Sequence, residues 1–259
     1  MEKFLGSADV FLLVFTRVIA FLLILPVFSG NNMNVLGKLA FAASVAFLIT
    51  VSGHVKTAVY FNTAPGFVTL IAKEFLTGLI VGFMVYLAFN LVFFAGQLLD
   101  FQIGFSMVSV FDPVTQIQVP IIGNLFFFTL TAMLVQSGGL HAMLSAVFFS
   151  YDVLPVGGAA ILNNPALTGI VLELMKSFIT VAFQSALPII GAIMIIDAAM
   201  GLLVKAVPQM NVFVVGMPIK ILAGLALLYM IAPILSDIYS TVFDLAYSAA
   251  IGALKGMAE

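Results

Sequence analysis

Residues 67–99 and 167–204 form two almost uninterrupted apolar runs, and their length limits what this chain can become. As straight helices they would extend roughly 50–57 Å at 1.5 Å per residue, against a hydrocarbon core of about 30 Å. Tilting absorbs only part of that excess. These helices must therefore kink, with Pro188 the candidate in the second, or project beyond the bilayer into other protein. Four further runs, 10–28, 36–52, 119–136 and 212–235, approach spanning length, and a shorter apolar piece covers 140–150. An amphipathic tail carrying Asp237 and Asp244 follows. The pattern predicts an all-α integral membrane protein of about six long apolar helices in hairpins.

Composition closes off most other classes. With 63% hydrophobic and 8% charged residues, the chain cannot cover a water-exposed surface, for which about 25% charge is usual. A net charge of −2 leaves no basic stripe for nucleic acid. The chain has no cysteine, and His54 and His141 lie far apart, so neither a disulfide nor a metal cluster is expected. No G-x-S-x-G, H-E-x-x-H, Walker A or G-x-G-x-x-G pattern occurs, so no catalytic residues, metal site or cofactor are assigned and the chain is read as a non-enzyme. Glu2 and Lys3 precede a first run broken by Arg17, with no A-x-A cleavage site after it, which reads as a retained helix rather than a signal peptide.

Four groups of residues stand out against the apolar background. Arg17 lies mid-run, where a charge costs about 2.5–3.5 kcal/mol on insertion scales, and is expected to face protein or a polar cavity. Glu74, Gly78 and Gly82 share one helical face, the small residues allowing close backbone approach. Gly96 to Pro120, with Asp100 and Gln102, is the least ordinary segment. From Ser106 it alternates apolar and polar residues and carries the Asp112-Pro113 turn, a pattern that does not propagate a helix. Irregular backbone among apolar helices is tolerated where protein buries it or it lines water, so a pore or subunit interface is expected. Asp197, Gly201 and Lys205 step down one face toward a polar-edged turn, Lys205 to Lys220, where Pro208 stops one helix and Gly216 and Pro218 restart the chain. Lys220 is placed in the first turn of the next helix, and Asp197 in loop-tethering or inter-subunit contacts. Glu173 and Lys176, three apart, form a self-neutralising pair. The linker Tyr151–Pro165 is the candidate boundary between two halves. Lysine counts do not decide orientation: with six spans, Lys38, Lys205 and Lys220 fall on one side and Lys3, Lys56, Lys73 and Lys255 on the other.

The segment Lys205-x-x-Pro208-Gln209-x-Asn211-Val-Phe213-x-x-Gly216-x-Pro218-x-Lys220 closely resembles the signature of the FliR family of flagellar export-gate proteins. The likeness extends through Arg17 and Pro26, then Glu74, Gly78, Gly82 and Gly96 with Asp100-x-Gln102-x-Gly104 and Asp112-Pro113. Gly138-Gly139-x-His141, Leu154-Pro155-x-Gly157, Pro188 and Asp197 follow in order. One departure is Asn34, where the family has a proline after the first helix. The resemblance implies a type III export gate in the bacterial inner membrane, at the flagellar basal body, or its injectisome counterpart. It implies a hetero-oligomer with FliP- and FliQ-like subunits, FlhB- and FlhA-like components nearby, and unfolded chains as cargo. It divides the chain into a FliP-like part, 1–160, and a FliQ-like hairpin with tail, 161–259. It makes Gly104, Met107, Val108, Val110, Phe111, Asp112 and Pro113 a pore plug. It also makes Lys205, Pro208, Gln209, Asn211, Phe213, Gly216, Pro218 and Lys220 a cytoplasmic hairpin turn. Arg17, Glu74, Gly78, Gly82, Asp100 and Asp197 become packing or subunit contacts. A small-solute transporter is the alternative, though no internal repeat supports it.

Overall fold

A computed structural model describes residues 2–29, 34–53, 55, 64–107, 120–159, 165–209 and 211–258 of the protein. Every described element is helical. They are α1 (Glu2–Ile24), α2 (Pro26–Ser29), α3 (Val35–Val51), α4 (Ala64–Ile103), α5 (Ile121–Gln136), α6 (Gly139–Val153), α7 (Pro165–Ala206) and α8 (Val212–Ala258), with a 3-10 turn at Phe105–Met107. The chain is an all-α membrane protein, and its six apolar runs map onto these helices. Three of the helices are long and apolar enough to cross a bilayer: Pro65–Ile103, Leu167–Ala206 and Val214–Ala258. A fourth span results if α5 and α6, bent by 74° at the break between them, count as one. The first run yields fewer residues per helix because Leu25 bends the chain before Pro26, which then opens α2 at a position where its missing amide costs nothing.

The long runs do not break. α7 continues through Pro188 for 42 residues, roughly 63 Å at the ordinary helical rise. The amphipathic tail joins the last apolar run in one helix of 47 residues containing Pro218 and Pro233. Asn34 replaces the expected proline with a different device: its side-chain oxygen accepts the amide of Leu36 at 3.0 Å and caps α3.

The chain forms two compact units. The first comprises Met1–Ala88, Leu134–Lys176 and Phe243–Glu259. In it α1 packs on α3, with Leu13, Val14, Val18 and Phe21 forming the buried stripe that a 3.6-residue period produces. The same periodicity carries Arg17 into the interior. The second unit comprises Phe89–Met133 and Ser177–Val242. Phe127 meets Phe89 and Phe93 edge-on at 6.2 and 6.4 Å, and Phe94 meets Phe183 at 6.1 Å.

Candidate functional site

Three polar constellations interrupt the apolar packing. In the first unit Arg17 is 2% exposed and Glu74 fully buried. Arg17 Nε donates to Glu74 Oε2 at 2.6 Å and Nη2 to Oε1 at 3.1 Å, the two-pronged geometry that planar guanidinium and carboxylate favour. Nη1 donates to the carbonyls of Ser150 (3.3 Å) and Leu154 (3.1 Å) and to Ser150 Oγ (3.1 Å). The guanidinium carbon also lies 4.1 Å from the centre of the Tyr151 ring. Glu74 Oε1 accepts the amide of Gly157 at 2.8 Å, and the neighbouring Lys73 Nζ reaches the Gly157 carbonyl at 3.4 Å. One ion pair thus ties α1 and α4 to the end of α6 and to the linker after it. Gly157 adopts a φ of +78°, a conformation most side chains resist. Gly78 and Gly82 permit the approach: a Cβ on Gly78 would collide with the carbonyl oxygen of Arg17, and one on Gly82 would lie 2.9 Å from that of Phe21.

In the second unit Asp100, 3% exposed, sits in the last turn of α4 and caps a different helix. Its carboxylate accepts the amide of Ile122 at 3.0 and 3.1 Å and that of Gly123 at 3.1 Å, at the start of α5. The first amides of a helix have no partner within it and carry partial positive charge, so an ionised carboxylate suits them. Gly96 lies against the same spot, since a Cβ there would come 2.5 Å from Gly123 Cα. The carbonyl of Asp100 accepts the amide of Gly104, whose φ of +103° turns the chain out of α4. Met107 ends the 3-10 turn and is partly exposed; Val108, Val110, Phe111, Asp112 and Pro113 lie outside the described residues.

The third constellation belongs to the same unit. Lys220 lies 2.9 Å from Asp197 Oδ1 and donates to Oδ2 at 3.0 Å, linking α8 to α7, and Gln102 Nε2 reaches Oδ2 at 3.3 Å. Their side chains are 21% and 42% exposed, unlike the Arg17 pair. The adjoining turn is shorter than its sequence suggests. Lys205 lies in the last turn of α7, and Pro208 and Gln209 make the bend. α8 then starts at Val212, because the Asn211 carbonyl already accepts the amides of Val214 and Val215 at 3.2 Å. Phe213, Gly216, Pro218 and Lys220 are therefore all helical, which corrects the placement of Lys220 in a first turn and of Gly216 and Pro218 as breakers. A proline six residues into a helix leaves the Val214 carbonyl without its i+4 donor but does not end the helix. Gly216 is buried, whereas Lys205, Pro208, Gln209, Asn211 and Pro218 are exposed; the Phe213 side chain lies outside the described residues.

The sequence singled out Arg17 and Glu74 separately, and the fold joins them. It missed Ser150, Tyr151 and Gly157 as their partners and Gly123 as the partner of Gly96. A signal for the first existed: a mid-helix arginine demands a counter-charge, and few acids lie within apolar runs. None existed for the backbone acceptors. Among the described residues no group of three or more histidine, aspartate or glutamate side chains could hold a metal ion.

Residues 8–246 match the model of the family described as bacterial export proteins, family 1. The chain is 28% identical over 246 residues to the flagellar biosynthetic protein FliR of Bacillus subtilis, covering 95% of this chain and 94% of that one. It is 25% identical over 248 residues to FliR of Escherichia coli, 94% of each. It is also 26% identical over 208 residues to the secretion system apparatus protein SsaT of Salmonella typhimurium, 80% of each. With the family's model spanning nearly its whole length, the chain belongs to the bacterial export proteins, family 1.

Proposed function

We propose that this protein is a core subunit of a flagellar type III export gate in the bacterial inner membrane, forming with FliP- and FliQ-like subunits the channel for unfolded chains. The observation that carries this reading is collinearity: the likeness to FliR of Bacillus subtilis covers 95% of this chain and 94% of the relative. Exposed apolar side chains such as Phe101, Leu36 and Ile195 offer surface for neighbouring subunits or lipid. An injectisome gate is the second reading, favoured by the likeness to SsaT, which is shorter in coverage. Within the gate, residues 1–160 act as the FliP-like part and 161–259 as the FliQ-like part. The apolar segment Gly104–Pro120 closes the resting pore by excluding water. FlhB- and FlhA-like components deliver cargo and energy, since the sequence carries no nucleotide motif, and the protein itself catalyses no reaction.

Co-expression tests the assembly. Alone in a mild detergent the chain is expected to aggregate or be degraded, and FliP- and FliQ-like partners are expected to rescue it as a single complex of defined mass. A stable, monodisperse preparation of the chain alone would overturn the reading.

A further inference from the structure

The start of α5 is held by a residue that does not belong to it. Asp100 lies about twenty positions upstream, yet its buried carboxylate takes three amide contacts from Ile122 and Gly123. Ordinary caps are local, one to three residues before the amides they satisfy. A remote cap does something more: it fixes the distance between two helices. Here two separate features converge on that distance. The carboxylate bonds span it, and the Gly96–Gly123 contact leaves no room for a side chain between the backbones. At the far side Asn124 Nδ2 donates to the Pro120 carbonyl at 2.6 Å, ordering the residue that enters α5.

We infer that Asp100 is a positioning residue of the export channel: it locks the end of α4 to the start of α5, and this base holds its spacing while the channel works. The inference rests on the reading of this protein as a gate subunit with a seal between α4 and α5. The base keeps its spacing in closed and exporting states alike, because three carboxylate contacts and a direct backbone approach hold it. Loss of the carboxylate leaves those amides unsatisfied in a dry setting, and the clamp opens.

Because the chain has no cysteine, two spin labels can report on the base directly. Met107→Cys and Ile121→Cys place them at partly exposed positions on either side, in the complex with its partner subunits. The unaltered clamp is expected to give one narrow distance distribution. Asp100→Ala is expected to broaden it and to raise the open population roughly tenfold, the effect of losing one cap. Asp100→Asn, which keeps the shape and one acceptor, gives a smaller broadening and serves if the alanine variant fails to assemble. An unchanged distribution in both variants overturns the clamp. A broadened distribution with unaltered resting ion permeability and export overturns its role in positioning. If a complex with a shortened 104–120 segment also fails to leak, the sealing role itself is lost, while the spin-label result still decides whether the clamp exists.

Discussion

Arg17 carries a full charge through the middle of α1, and its surroundings give that charge polar partners on several sides. The guanidinium has five N–H donors; the structure gives partners to its three nitrogens on one carboxylate, two carbonyls and one hydroxyl. Such a pair resists the loss of one member more than the loss of both. Removing a single partner of a buried pair costs about 3–5 kcal/mol, because an uncompensated charge remains, whereas apolar replacement of both is often neutral or better. Glu74→Gln is therefore expected to reduce recovery of folded complex and its thermal stability sharply. Arg17→Met combined with Glu74→Leu should recover a large part of the loss, short of full because Gly157 and the carbonyls of Ser150 and Leu154 lose their partners too. Thermal unfolding of the purified complex, run as a double-mutant cycle, checks the sign of the coupling. Equal, additive losses would mean the ion pair has no special standing. The need for a partner was legible from one arginine in an apolar run; which backbone groups would share the work was not, because carbonyls leave no trace in a sequence.

Helices were readable wherever apolar residues ran on, and much less so at their ends. The signature turn illustrates why. Pro208 stops α7 as its chemistry dictates, but Gly216 and Pro218 carry the same letters and lie inside α8. Packing of an apolar face outweighs the local preference of one glycine or proline once the helix has begun on either side. Likewise Pro188 does not divide α7. The turn between α7 and α8 is nonetheless well suited to probing orientation. Gln209 is exposed and the chain has no competing thiol, so Gln209→Cys offers one defined target. If the turn faces the cytoplasm, an impermeant thiol reagent is expected to label it only after cells are opened. Labelling in intact cells would reverse the orientation of the α7–α8 hairpin.

For the whole molecule, the sealing role proposed for Gly104–Pro120 predicts a leak. A partial deletion between Met107 and Pro120 that keeps Asp100 and its bonds to α5 is expected to leave assembly intact and raise resting ion permeability. Small-molecule uptake in cells carrying the deletion measures this; unchanged uptake in a correctly assembled complex would reduce the segment to a connector. The Arg17–Glu74 pair also sets an order of events during synthesis. Fifty-seven residues separate the two, so at about 5–20 residues per second Arg17 emerges several seconds before its counter-charge exists. The carbonyls of Ser150 and Leu154 arrive later still. Throughout that interval α1 faces the full insertion penalty of a lone arginine. The first helix made thus completes its polar contacts only after α4 and the end of α6 have followed it out of the ribosome.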